Sequence, residues 1–371
     1  MKILKRMLYS ILIIIAAVVL FGWYYMSTPV FGKLPEGARL EKILKSPNYK
    51  DGEFQNLSPT PQMAEGHSMW KVMINFLFNK PDNVSSKQPI PVVQTDLKQL
   101  PLDKNVIVWL GHSSYFMILD HKTYLVDPVF SGNASPVPGS NKSFKATYNY
   151  TINDMPNIDV LLISHDHFDH LDYPTIKALK SNIKQVVCGL GVGAHFEHWG
   201  YDAKIIHELD WYDAVTLYND VLITATPARH FSGRTFKRNT SLFCSYVLQS
   251  SNHKLFIGGD SGYDTHFKKI GDTYGPFDLA ILENGQYNEA WRYIHTLPTE
   301  MPTIIKEINA KKILPVHAGK FALAMHDWKE PFRAIKKYQS EETPILFPQI
   351  GVILNIDDST QVFEDWWESI D

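Results

Sequence analysis

The stretch that most restricts this chain is IDVLLISHDHFDH, residues 158–170. An apolar run of this kind reads as a strand buried on both faces. It ends directly in His165, Asp166, His167, Asp169 and His170. Alternate residues of an extended segment point to the same side, so His165 and His167 can bind one metal ion together. Asp166 lies between them and points away by the same alternation. Asp169 and His170 follow where the chain turns, and can reach a second metal nearby. A helix N-terminus capped by Asp169 and left in water would also explain this stretch, taken alone.

The rest of the chain decides against that. Three more apolar runs end the same way: ITATPAR in His230, LFIGG in Asp260 and KILPV in His317. Side chains at strand ends converge on the rim of a sheet, so one shared metal centre accounts for all four endings. Imidazole and carboxylate in this ratio suit Zn²⁺ better than Fe²⁺ or Mn²⁺.

From about Lys104 the pattern is of strands that first look antiparallel and then alternate with helices. NVIVWLGHSSYFMIL and KTYLVDPVF read as adjacent strands, and KQVVCGL, HKLFIGGD and DLAILEN as buried ones. YPTIKALK, GAHFEHWG and TEMPTIIKEINA read as helices. This order predicts an α/β chain of the α+β sandwich type, with two sheets between helices. Residues 29–103 read as an extension packed on that domain, which runs over 104–371. Within the extension, Met69, Trp70, Met73, Ile74 and Leu77 fall at helical spacing. That predicts a helix packed on the domain, and equally suits the wall of a lipid-facing groove.

Lys2, Lys5 and Arg6 precede an uncharged stretch from Met7 to Thr28, long enough to cross a bilayer. The residues after Leu20, FGWYYM, are bulky where a cleavage site would be small, so an uncleaved anchor over 1–28 is expected. The basic start predicts a cytoplasmic N-terminus and a body outside the cytoplasm. A net charge of −3 with no basic stripe excludes nucleic acid as a partner. The oligomeric state is not written in the sequence. The two cysteines, Cys188 and Cys244, are expected as buried free thiols. Gly189, Gly191 and Gly193 suit a tight strand–helix turn. His112 ends a strand in WLGHSS, where it could line the cleft or hold a loop. Arg229, Arg234 and Arg238 surround His230; they suit ordinary surface charges, and also contact with an anionic phosphate head group.

The H-x-H-x-D-H run with its later strand-end His, Asp and His resembles the metallo-β-lactamase superfamily. WLGHSSYFMI, LVDPVFS, TPARHFSGR, GGDSGY and VHAGKFAL are similar to its N-acylphosphatidylethanolamine-hydrolysing phospholipase D branch and the bacterial relatives of that branch. The resemblance covers most of residues 48–330 and implies the four-layer αββα fold. It implies two zinc ions: His165, His167 and His230 on one, Asp169, His170 and His317 on the other, and Asp260 bridging. Asp127 would hold a metal histidine by its other ring nitrogen, and His295 would stand near the reacting centre. The implied activity is phosphodiester hydrolysis of a phospholipid by a hydroxide bridging the metals. A lactonase or β-lactamase-like hydrolase would use the same centre, and a non-catalytic, membrane-anchored metal-binding protein is the rival of another class.

Overall fold

The computed structural model describes residues 2–370. Helix α1 (Lys2–Met26) has no buried residue. At 1.5 Å per residue it is about 37 Å long, enough to span a membrane. A 3₁₀ turn at Pro29–Phe31 leads into α2 (Gly37–Leu44), a hairpin of β1 (Tyr49–Lys50) and β2 (Glu53–Phe54), and α3 (Met69–Phe78).

The first large sheet starts with β3 (Val106–Trp109), β4 (Tyr115–Leu119) and β5 (Lys122–Val126), joined antiparallel. β6 (Ile158–Ile163), α4 (Tyr173–Leu179), β7 (Ile183–Gly189), α5 (Gly193–His198) and β8 (Ile206–Leu209) continue it in parallel. The second sheet holds β9 (Ala214–Leu217), β10 (Val221–Pro227), β11 (Cys244–Gln249), β12 (Lys254–Ile257), β13 (Leu279–Glu283) and β14 (Ile313–Val316). Helix α6 (His266–Tyr274) follows β12, α7 (Met301–Ile308) follows β13 and α8 (Glu330–Lys336) follows β14. Finally β15 (Ile353–Asn355) crosses back to pair with β3, so the C-terminal segment ties the two halves together.

Side-chain alternation divides the interior. Ile107, Trp109, Val160 and Leu162 face the core shared with the second sheet. Val106, Val108, Leu161 and Ile163 face the outer core under α4 and α5. All six residues of β6 are buried, which is why its sequence shows no clean polar–apolar alternation.

Strand direction positions the site. β3, β5 and β6 run the same way, because β3–β4 and β4–β5 are antiparallel while β5–β6 is parallel. By the same reasoning β10, β12, β13 and β14 run one way in the second sheet. Every strand that ends in a candidate ligand therefore delivers it to a common rim.

Helix α3 departs from its expected packing. None of its residues is buried. It bridges open space, held near its ends by Ala64 N–H donating to the Ala290 carbonyl and Trp328 N–H to the Asn83 carbonyl. Its apolar residues face a cavity on one side and the exterior on the other, so no core covers them.

Candidate active site

The β6 strand ends at Ile163, and the chain then turns through residues 164–170. Nε2 of His165 lies 2.8 Å from Nδ1 of His167, and Nε2 of His230 lies 3.2 Å from the same atom. The other nitrogens of two of these rings are already engaged. His230 donates from Nδ1 to the Ile294 carbonyl at 2.8 Å. Nδ1 of His165 is 3.0 Å from the Ser164 hydroxyl, which itself donates to Asp127 at 2.6 Å and so accepts from the ring. Nitrogen lone pairs brought this close repel one another unless a cation lies between them. Burial, then the neighbouring imidazoles, holds His165 and His230 well below the usual histidine range, so both rings are neutral. Neutral imidazoles converging on one point can hold a metal ion.

The second cluster lies beside it. His170 donates from Nδ1 to Asp127 at 2.8 Å. Its Nε2 is 3.1 Å from Asp260 Oδ2 and 3.5 Å from Asp169 Oδ2. Nε2 of His317 is 3.3 Å from Asp260 and 3.5 Å from Asp169. Asp260 Oδ2 also comes within 4.0 Å of His165 and 3.8 Å of His230, so it stands between the clusters. Nε2 of His170, Nε2 of His317 and Oδ1 of Asp260 are buried with no hydrogen-bond partner. Ring nitrogens and carboxylate oxygens left without partners this close together offer lone pairs that a metal ion could accept. Burial alone would raise the Asp260 carboxyl, but His170 and His317 outweigh it and hold it well below the carboxylate range.

The seven candidate ligands are thus brought together, with Asp127 directly behind His170. Asp127 also accepts from the Ser164 backbone N–H at 2.8 Å, which locks β5 to the start of the metal loop. Asp166 is turned away from both clusters. His112 does not line the cavity. It is fully buried, pairs with Asp169 Oδ2 at 2.9 Å and packs against the His317 ring at 4.2 Å. Its loop is zipped to that of His317: His112 N–H donates to the Ala318 carbonyl and His317 N–H to the His112 carbonyl.

One residue escaped the sequence reading. Glu283, the last residue of β13, accepts from His295 Nδ1 at 2.7 Å and lies 3.3 Å from His317 Nδ1. It also accepts from the Thr296 backbone N–H at 2.7 Å, so it is itself held in place while it fixes the His295 ring and stands beside that of His317. The signal was present, since DLAILE is one more buried run ending in a chemically capable side chain.

The arginines divide differently from expectation. Arg234 is buried and donates to the carbonyls of Asp166, Leu171 and Val30. Arg229 donates to Thr60 and to the carbonyls of Tyr263 and Pro59, which ties the extension down. Neither lines the cavity; a guanidinium this close to several carbonyls is drawn to them rather than to the cleft. Arg238 does line it and sits 5.1 Å above the Phe231 ring. The glycine-rich turn after β7 is closed by the Glu208 carboxylate, which accepts from Gly191 and Gly193 N–H and leaves no anion cradle there. Cys188 and Cys244 are buried free thiols.

The cavity holds about 300 Å³. Its floor is formed by His167, Asp169, His230, Asp260 and His317, with His295 at the side. Its wall is apolar: Met69, Val72 and Phe76 of α3, with Trp291, Ile294 and Leu323.

The model of the β-lactamase superfamily domain matches residues 122–318. An uncharacterized protein of Mycobacterium tuberculosis is 34% identical over 83% of this chain and 84% of its own length. The Outer membrane protein RomA of Klebsiella pneumoniae is 47% identical over 28% of this chain and 77% of its own. The N-acyl-phosphatidylethanolamine-hydrolyzing phospholipase D 1 of Caenorhabditis elegans is 27% identical over 59% of this chain and 65% of its own. Among solved structures, the metallo hydrolase Igni18 of Ignicoccus hospitalis has a TM-score of 0.52 at 16% identity, over 67% of this chain and 97% of that one. The diiron β-hydroxylase CmlA of Streptomyces venezuelae has a TM-score of 0.53 at 18% identity, over 69% of this chain and 55% of that one.

Proposed function

This chain belongs to the β-lactamase superfamily of metal-dependent hydrolases, and within it we propose a dinuclear zinc phosphodiesterase of phospholipase D type, acting on N-acylphosphatidylethanolamine or a related phospholipid. One observation carries the substrate class: a polar, metal-fitting floor shares its cavity with the apolar face of α3. A phospholipid is divided the same way, with apolar chains beside one charged diester. A small soluble ester gains nothing from such a wall. The relative named for N-acylphosphatidylethanolamine hydrolysis supports the same choice.

His165, His167 and His230 would hold one zinc ion, Asp169, His170 and His317 the other, and Asp260 both. Nitrogen-rich donors with carboxylates suit zinc, although the fold also hosts a diiron enzyme. When bound, the ions supply Lewis acidity at the phosphorus and lower the pKa of an attacking water. The protein's own groups orient the substrate around them. Arg238 at the rim faces the phosphate charge, and Met69, Val72 and Phe76 receive acyl chain. His295, its Nδ1 donating to Glu283, presents an unprotonated Nε2 that can take the proton of the attacking water and pass it to the departing head-group oxygen. The anchor over 1–28 holds the extension (29–103) and the hydrolase domain (104–371) against a membrane, with the domain outside the cytoplasm.

The test is an assay of the full-length protein in detergent micelles on N-acylphosphatidylethanolamine, a p-nitrophenyl phosphodiester, a lactone and a β-lactam, with metal content measured alongside. Release of phosphatidic acid from the first substrate by zinc-loaded protein is expected. Turnover of the lactone alone would overturn the proposal.

A further inference from the structure

The segment that leaves α1 does not simply connect it to the body. Residues Pro29–Lys33 lie against the back of the turn that carries His165, His167, Asp169 and His170. Lys33 donates its backbone N–H to His195 Nδ1 at 3.0 Å. That nitrogen must therefore be the acceptor, so Nε2 carries the hydrogen and donates to Asp166 Oδ2 at 3.2 Å. Asp166 is the residue between the two metal histidines. Its carboxylate also accepts from Gly233 N–H at 2.7 Å and from the Ser241 hydroxyl at 2.8 Å. His195 thus relays the position of Lys33 directly to the metal turn.

Two further ties run in parallel. Nη1 of Arg234 donates to the carbonyls of Asp166 and Leu171, each at 2.7 Å, while Nη2 donates to Val30 at 2.6 Å. One guanidinium therefore joins both ends of the metal turn to the strap. Phe168, between His167 and Asp169, lies under Arg234 at 4.1 Å and takes the edge of Phe31 at 5.8 Å. Phe31 in turn meets Tyr25, the last aromatic residue of α1, at 5.6 Å. The strap itself is pinned by Trp199 Nε1, which donates to the Pro29 carbonyl at 2.7 Å. The fit is close. Gly32 has a φ of +69°, and a Cβ there would fall 2.0 Å from His195 Nδ1.

We propose that the juxtamembrane strap Pro29–Lys33 is a positioning element of the metal centre, acting through His195 and Arg234 on the turn that carries four of its ligands. The metals would hold this turn from the front and the strap from behind, so anchor and site form one mechanical unit. The proposal rests on the metal assignment of this turn and on nothing about the substrate.

Gly32→Ala tests it without altering the metal turn, and Trp199→Phe removes a single tie while keeping an aromatic ring. Both are made in the full-length protein in detergent and loaded with Co²⁺. The readouts are the visible absorption spectrum and the rate of cobalt loss to a chelator. Groups that orient metal ligands are worth about 10–100-fold in affinity, so Gly32→Ala should release cobalt at least about tenfold faster, with a changed spectrum. Trp199→Phe should show a smaller change in the same direction. His195→Gln, which can still donate to Asp166, should retain more cobalt than His195→Ala. Spectra and release rates equal to wild type in Gly32→Ala and Trp199→Phe would overturn the proposal. Failure of the wild type itself to bind cobalt would instead overturn the metal assignment, and the strap's role with it.

Discussion

On the cavity floor, His230 and His317 are each 1% exposed and Asp260 4%, whereas on its wall Met69 is 52% exposed. The two surfaces meet over a few ångströms and are built by opposite means. The candidate ligands come from the ends of strands, and rings among them are held by a second group: Asp127 behind His170 and the Ile294 carbonyl behind His230, with Glu283 3.3 Å from His317. The wall is one helix tethered near its ends and lacking a buried residue. Chemistry needs atoms held to fractions of an ångström, and the floor supplies that. Acyl chains need only apolar area, and a loosely held helix supplies that. The division predicts that floor changes act on metal and turnover, while wall changes act on access to lipid.

The largest effect should come from Asp260→Ala, which removes the group between the clusters. Its kcat should fall by about a thousandfold, the upper range for one electrostatic group, and elemental analysis should find less metal per chain. Wild-type metal content and turnover in this variant would break the picture of the floor. Next, His295→Ala should lower kcat by about a hundredfold, as for loss of a proton-transfer group, with metal content unchanged. Glu283→Gln should be milder and of a different kind: about a tenfold loss of metal affinity, because it orients His317 as well as His295. Equal metal affinity in Glu283→Gln and wild type would remove Glu283 from the support of the centre.

The smallest effect on stability and the sharpest test of the comparison come from the outer face of α3, the helix that carries the wall. Trp70→Ser with Leu77→Ser should leave folding stability within about 0.5 kcal/mol of wild type, since neither side chain is packed. Hydrolysis of a short, water-soluble phosphodiester should also be unchanged. Activity on vesicles should fall by at least about tenfold, because each lost apolar contact with lipid is worth about 1–2 kcal/mol and about 1.4 kcal/mol is a factor of ten. A uniform loss on both substrates would mean that the wall supports the floor after all.

Much of the floor was legible because strand ends announce themselves. A buried strand leaves an unbroken apolar run, and a ligand directly after it stands out against that background, as at His165, His230, Asp260 and His317. Asp166 could be set apart from its neighbours because alternation along an extended chain depends only on local geometry. The wall was half legible. Helical spacing from Met69 to Leu77 located α3, which runs over Met69–Phe78. Periodicity reports that a face is apolar and not what covers it, so a cavity was not distinguished from a core.

The arginines mark the limit. Arg229, Arg234 and Arg238 lie close together in sequence and suggest one shared task, but the fold gives them three. Which carbonyls surround Arg234 depends on Val30, Asp166 and Leu171 meeting in space, up to 204 residues apart along the chain. Glu283 shows the same dependence, since its two histidines come from different loops. The sequence by itself determined the strands, their chemically armed ends and the apolar helix, because these follow from local periodicity and composition. Only the tertiary structure decided which armed ends share a centre, which groups support them and what the segment after α1 touches, because those facts depend on contacts between distant segments.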